Sequence, residues 1–170
     1  MGKLSVRKLH KLMYYAQCYS LALDGKPLFD APILARECGP YVEILDRYTA
    51  GYYADPLISS VTDDQSLLSK STYFRNEANR EQRVIDAVLE NYGTKSDYDI
   101  INDSKQSAPY LRVKDDNPRS VISQDSMMRY GKELLNGSQI TIPSYKEYDP
   151  STDEYVWMLR QAKKELEAGL

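Results

Sequence analysis

Apolar residues recur at helical spacing in the first segment of the chain. From about Ser5 to Leu23 they fall three or four positions apart, which is the period of one face of an α-helix. Ser5 suits the N-cap because its side chain can accept a hydrogen bond from a free backbone N–H. Asp24-Gly25 is a stop signal because glycine takes the left-handed conformation easily. The pattern predicts a long first helix that is buried on more than one side.

The pattern after this helix predicts a short extended segment and then a second helix. Prolines interrupt the apolar pieces in residues 27–38, so we expect an extended loop or a small hairpin there. Gly39-Pro40 is typical of a helix start, where the missing N–H of proline costs nothing. This second helix should end near Gly51. Residues 52–75 carry turn chemistry and weak periodicity, which indicates irregular structure with at most a short strand or helical turn.

Helical periodicity returns in the second half of the chain. Further helices are expected over residues 76–92, 96–107, 123–136 and 151–166. Ser96 and Ser123 are the expected N-caps of the second and third of these, and the last opens with a capping box at Ser151. With 170 residues the chain fits one domain. We therefore predict a mainly α fold, a compact single-domain bundle of about six helices. Its body would span residues 1–137, and residues 138–170 would form a C-terminal extension with one capped helix packed on the same domain.

Composition narrows the class of protein. The 22 Lys and Arg residues against 25 Asp and Glu give a net charge of −3, which does not favour nucleic acid as a partner. Mean hydropathy is −0.58, and no apolar run approaches the ~20 residues of a membrane span. There is no secretory signal pattern, and two cysteines do not make a disulfide framework. We expect a soluble, cytoplasmic protein with no membrane contact.

The sequence offers little catalytic chemistry. His10 is the one histidine, and its neighbours supply no nucleophile, so we expect a solvated histidine on a basic helix face. Cys18 is expected in the core, and Cys38 stands before the predicted helix start without a CxxC partner. Calcium loops and glycine-rich phosphate loops are missing. We predict no catalytic residues, no cofactor and no metal, with an enzyme using buried carboxylates as the alternative from another class.

Two further features bear on binding. The N-terminal segment carries a basic strip of four residues, Lys3, Arg7, Lys8 and Lys11. The favoured interpretation is a solvated helix face. A docking face for an acidic protein ranks second, and a nucleic-acid contact ranks third. Of 18 aromatic residues 15 are tyrosine, a bias that suits a binding face or a core filled by tyrosine. Trp157 either widens the core face of the last helix or anchors an interface.

The opening of the chain carries a recognisable combined signature. It consists of Leu9-His10-Lys11-Leu12-Met13-Tyr14-Tyr15-Ala16-Gln17, then Gly25-Lys26-Pro27-Leu28-Phe29-Asp30, and then Gly39-Pro40. In order and spacing this resembles the Panacea domain of SocA-like antitoxins and GepA-like phage-associated proteins, with its "KLxKLLYYAQ", "GKPLF" and "YGPV" motifs. Ser104-Lys105, Pro109-Tyr110 and Ile122-Ser123 fit the family's later "TH", "PW" and "IS" motifs more loosely. Cys38 and Tyr41 depart from the family's tyrosine and valine around Gly-Pro.

The resemblance, over about residues 4–135, implies an antitoxin-like protein-binding module that neutralises a cognate toxin by direct contact, encoded by a prophage or mobile element. It also leaves open a proteolytic adaptor that delivers a partner to a cytoplasmic protease, and a phage protein acting on a host defence component. A homo-oligomer is compatible with each. The residues predicted to contact the partner are Lys11, Tyr14, Tyr15, Gly39, Pro40, Tyr41, Tyr110 and Trp157.

Overall fold

A computed structural model describes residues 4–49, 57–58, 80–117 and 119–137 of the chain. The long helix α1 (Val6–Asp24) is the central element, because the other long helices and the larger sheet all pack against it. The remaining helices are α2 (Asp46–Thr49), α3 (Arg80–Tyr92), α4 (Asp97–Gln106), α5 (Ala108–Leu111) and α6 (Gln124–Gly137). A 3-10 turn, Glu43–Leu45, leads directly into α2. The mainly α fold predicted from periodicity is confirmed.

Two small antiparallel sheets complete the described structure. β1 (Leu4–Ser5) pairs with β4 (Leu57–Ile58), so the weakly patterned region does contain a short strand. β2 (Ile33–Arg36) pairs with β3 (Gly39–Val42) in a hairpin whose register places Ile33 opposite Val42 and Arg36 opposite Gly39. The hairpin lies against α1 and α4.

The helix ends follow the capping chemistry read from the sequence. The side chain of Ser5 accepts a hydrogen bond from the N–H of Lys8 at 3.0 Å, and Gly25 ends α1 with φ +76°. Ser96 caps α4 by accepting from the N–H of Asp99, and Ser123 caps α6 by accepting from the N–H of Ser126. These predicted caps are confirmed.

The predicted second helix is wrong at its start. Gly39 and Pro40 lie in strand β3, and helical structure begins only at Glu43. The lack of an N–H in Pro40 is compatible with the first position of a helix, but it equally suits a strand position whose backbone faces away from the pairing strand. The extended segment therefore does form a hairpin, shifted toward the C-terminus so that its second strand replaces the first turn of the expected helix.

One glycine fixes how closely two helices approach. Gly131 of α6 lies against α1, where a Cβ atom would stand 2.1 Å from the carbonyl oxygen of Cys18. The missing side chain thus lets the two backbones meet, and α6 makes the most extensive helix contact with α1. Cys18 is fully buried at this contact, as expected, and burial raises the pKa of its thiol.

Parts of the sequence reading concern residues outside the described ranges. These are the C-terminal extension 138–170 with Trp157, the start of the helix expected from residue 76, and most of residues 52–75. Within the described ranges, no helix combines the length and the apolar character that crossing a bilayer requires.

Candidate functional site

The residues of the opening signature hold the fold together from inside. Gln17 is buried, and its amide oxygen accepts from the backbone N–H of Leu28 at 2.8 Å while its amide nitrogen donates to the carbonyl of Phe29 at 2.9 Å. Ser20 donates from its hydroxyl to the carbonyl of Lys26 at 2.7 Å. Side chains of the "YYAQ" helix thereby hold the backbone of the "GKPLF" loop against the helix surface through hydrogen bonds, which connects the two motifs in the structure.

Three of the four tyrosines predicted as contact residues are part of this interior. Tyr14 donates to the hydroxyl of Ser107 at 2.8 Å, and Tyr15 stacks on Tyr92 with ring centroids 4.0 Å apart. Tyr110 donates to the carbonyl of Arg36 at 2.9 Å. All three predicted residues are buried, and burial raises the pKa of each phenol. Tyr110 also lines a cavity of about 660 Å³, and partner contact at the three tyrosines stays a prediction.

His10 and Lys11 correct the expectation of a solvated basic face. Both side chains are buried, Lys11 with only 2% of its surface exposed. The Nζ of Lys11 donates to the carbonyl of Pro40 at 2.9 Å, and the Nδ1 of His10 accepts from the N–H of Val42 at 3.1 Å. Lys8 of the same strip donates to the carbonyl of Gly93. In the described part of the strip, Arg7 alone is exposed.

These two bonds seal one edge of the hairpin. In an antiparallel pair alternate residues direct their backbone groups away from the partner strand, and in β3 these are Pro40 and Val42. Pro40 has no N–H, its carbonyl is taken by Lys11, and the N–H of Val42 is taken by His10. An edge strand left open would offer a template for pairing with another chain. Side chains of α1 block that template, and we call this the sealed edge.

Burial sets the charge state of the two sealing residues. Desolvation, and then repulsion from Lys11, lowers the pKa of His10 to about 4, so the ring is neutral at physiological pH. Because Nδ1 accepts from Val42, the ring hydrogen of the neutral form resides on Nε2. Desolvation also lowers the pKa of Lys11 to about 8, which still leaves the ammonium mostly charged near pH 7.

The turn of the hairpin requires Gly39. Its φ is +96°, a conformation that L-residues with side chains rarely adopt. A Cβ atom there would also stand 3.1 Å from the Oγ of Ser104 and 3.2 Å from the Cγ of Lys105 on α4. Gly39 and Pro40 are both buried and shape the hairpin, and their contact with a partner stays a prediction. Cys38, at the turn and not at a helix start, is exposed.

Tyr41, another predicted contact residue, lies at an accessible groove. Its ring stacks on His10 with centroids 4.2 Å apart, and the guanidinium carbon of Arg36 lies 3.9 Å from its centroid. Its hydroxyl donates to the carboxylate of Asp46. The groove has a volume of about 450 Å³, and we call it the hairpin groove. It is lined by Arg36, Glu37, Cys38, Tyr41 and Arg119.

The second edge of the hairpin is bordered by a short extended segment. The N–H of Ala35 donates to the carbonyl of Ser120, and the N–H of Ile122 donates to the carbonyl of Ile33, both at 2.8 Å. This places Val121 beside Leu34 in an antiparallel bridge. Residues 119–123, which we call the open edge, thus follow β2 as a third strand would, and Arg119 connects them to the hairpin groove.

Sequence reasoning missed the two arginines that line the hairpin groove. Arg36 and Arg119 stand alone in the sequence, and neither belongs to a motif or a charge run. A signal existed for the hairpin itself, since Ile33-Leu34-Ala35 precedes Gly39 at the distance of a two-residue turn. Across the described ranges no three His, Cys, Asp or Glu side chains gather as a metal site would need.

Comparison with known proteins gives one match. The family model described as antitoxin SocA-like, Panacea domain, matches residues 9–109. It begins inside α1 and ends in α5, so it spans the signature helix, the "GKPLF" loop and the hairpin. No curated protein and no solved structure matches the chain. The resemblance identified from the opening motifs is therefore confirmed over the body of the domain.

Proposed function

Because this chain belongs to the SocA-like Panacea antitoxin family, we propose that it neutralises a cognate toxin by direct contact, acting as a binding module in the cytoplasm. The observation that carries the proposal is the family match over most of the described domain. The geometry agrees with binding, because the accessible groove is lined by the residue types that dominate protein interfaces, arginine and tyrosine.

We further propose that the hairpin groove is the contact surface. Tyr41 and Arg36 are held in place before a partner arrives, since Tyr41 is fixed by His10 and Asp46 and Arg36 lies on its ring. A side chain that is ordered in advance loses less conformational entropy on binding. The buried residues of α1 then act indirectly, by fixing the position of β3 and with it the groove.

The experiment pairs this chain with the protein encoded by the neighbouring open reading frame. We expect that protein to arrest growth when expressed alone and co-expression of this chain to restore growth, with a complex detectable by calorimetry. Absence of both rescue and binding would contradict the proposed function.

A matched pair of tyrosine variants tests the groove. Tyr41→Ala should weaken the complex by about tenfold or more, as expected for an aromatic residue at an interface centre. Tyr98→Ala is the control, because Tyr98 is 75% exposed on α4 and does not line the groove. Both variants need the wild-type circular dichroism spectrum. Equal affinities for the two variants would move the contact surface away from the groove.

A further inference from the structure

The two edges of the hairpin differ in one physical respect. At the sealed edge, the carbonyl of Pro40 and the N–H of Val42 each have a partner, and Pro40 has no N–H. At the open edge, Ser120 and Ile122 use their backbone groups to pair with β2, so the N–H and C=O of Val121 point away from the sheet. Neither group of Val121 has a hydrogen-bond partner in the described structure. Its side chain is 54% exposed.

The open edge also carries an uncompensated charge. Arg119 is exposed, and its guanidinium forms no salt bridge with any residue of the described ranges. It lies two residues from Val121 and borders the hairpin groove, where Arg36 provides a second guanidinium. Arg36 is engaged by Glu43 at 3.5 Å, so Arg119 is the cation left to meet an incoming acid.

We propose that the open edge accepts an extended segment of the partner protein as an added strand, with an Asp or Glu of that segment bound by Arg119. The proposal rests on the proposed function, since the partner is the toxin. In strand addition the backbone supplies affinity, and side chains at alternate positions supply specificity. The N–H and C=O of Val121 provide the backbone bonds, and Arg119 lies two residues before it, in the turn that leads into the edge.

The geometry favours this edge over other exposed surfaces because its pairing groups are already directed outward by the bonds to β2. An unpaired edge usually invites association and is blocked in folded proteins. Within the described ranges, two buried side chains and a proline block β3, and nothing pairs with the outward backbone groups of Val121. The difference between the two edges favours the open edge as the position where a partner strand binds.

Amide hydrogen exchange tests the strand directly. Full-length ¹⁵N-labelled chain is measured alone and saturated with the protein from the neighbouring reading frame. The Val121 amide should exchange rapidly in the free chain and at least about tenfold more slowly in the complex. Unchanged exchange of Val121 in a saturated complex would overturn the strand proposal. So would protection of Val121 in the free chain together with dimer formation, because the occupant would then be a second copy.

Variants at Val121 separate backbone from side chain. Val121→Pro removes the outward N–H and fixes φ near −65°, whereas the bonds to β2 belong to residues 120 and 122. It should weaken binding by about tenfold. Val121→Thr keeps the N–H and the branched shape and should stay within about twofold of wild type. Equal binding by both variants, with unchanged unfolding midpoints, would contradict strand addition.

Charge reversal tests the acidic side chain of the partner. Arg119→Glu should weaken the complex by about tenfold. Arg129→Glu makes the same change at an exposed position on α6 away from the edge and should stay within about twofold. If the wild type binds and rescues while Arg119→Glu and Val121→Pro bind equally well, the strand proposal fails and the proposed function stands. If the wild type neither binds nor rescues, both fail together.

Discussion

The signature helix α1 and the hairpin groove form a contrasting pair of regions. In α1 most motif residues are buried, and the side chains of His10, Lys11 and Gln17 bond to the chain's own backbone. The groove holds Arg36 and Arg119, which no motif marks. A family signature in this domain therefore records how the fold is assembled. The surface that we propose meets a partner can differ at these two arginines, because neither of them is part of the core.

The contrast predicts which changes unfold the protein and which release the partner. Substitutions in the α1 interior should lower the free energy of unfolding and leave the affinity of the molecules that remain folded unchanged. Substitutions at the groove should do the reverse. The next four predictions concern the interior, and each would contradict this contrast if the affinity for the partner falls while the stability does not.

The largest effect is expected at Tyr15. Tyr15→Ala removes a ring that is 1% exposed and stacks on Tyr92 at 4.0 Å, so the free energy of unfolding should drop by about 3–5 kcal/mol. Urea denaturation followed by circular dichroism measures the drop. Tyr98→Ala, at an exposed site, is the control and should change stability by less than about 0.5 kcal/mol. A small loss at Tyr15 would mean that the stacked pair is not part of the core.

Acid should destabilise the domain through His10. The pKa of His10 in the folded state is about 4, below the value of 6.5 for an unperturbed histidine. Between these pH values His10 is protonated in the unfolded chain and neutral in the folded chain, so protonation favours unfolding. Stability from this residue is complete above pH 6.5 and is lost as pH falls through 4, about 3 kcal/mol in all. Unfolding measured against pH should show this slope in the wild type.

His10→Asn supplies the control for that slope. Its amide oxygen can accept from the N–H of Val42, and it does not titrate between pH 4 and 7. Subtracting its stability curve from that of the wild type removes the contribution of the carboxylates. A difference curve that is flat across this range would show that His10 is solvated after all.

Gly131 should tolerate no side chain. Gly131→Val forces atoms toward the carbonyl of Cys18, and separating α6 from α1 should lower the free energy of unfolding by about 2–3 kcal/mol. Gly137→Ala is the matched control on the same helix, because nothing lies within 4 Å of a Cβ atom there. Chemical denaturation of the two variants checks the prediction. Equal stabilities would contradict the close approach of the helices.

The smallest effect is expected for Gln17. Gln17→Met keeps the volume but leaves the N–H of Leu28 and the carbonyl of Phe29 without partners, which should reduce stability by about 1–3 kcal/mol. Limited proteolysis should then cut the loop at residues 26–29 faster than in the wild type. Unchanged cleavage in a destabilised variant would mean that other contacts hold the loop.

The helix ends could be predicted from the sequence because they depend on residues that are close together along the chain. The caps at Ser5, Ser96 and Ser123 and the stop at Gly25 could be read from the sequence because each involves neighbours a few residues apart. The hairpin was misplaced because Pro40 suits a helix start and a strand edge equally well. Only the contact with Lys11, 29 residues away, distinguishes the two.

The candidate site was harder to predict for the same reason. The motif around Lys11 and Tyr14 predicts contact with a partner at both residues. Their burial depends on β3 and on Ser107, which lie far along the chain. The sequence did identify Tyr41, through its position next to Gly39-Pro40. Arg119 reaches the groove only because the segment around Val121 pairs with β2, and periodicity does not reveal a single bridge.

The two cysteines provide the most direct test that the partner covers the hairpin groove. Cys38 is exposed and lines the groove, whereas Cys18 is buried beneath α6 and serves as an internal reference. The rate of alkylation at each thiol is measured by mass spectrometry in the free chain and in the saturated complex. We predict that the complex slows modification of Cys38 by at least about tenfold while Cys18 stays unmodified in both. An unchanged rate at Cys38 in a saturated complex would contradict the assignment of the groove as the binding surface.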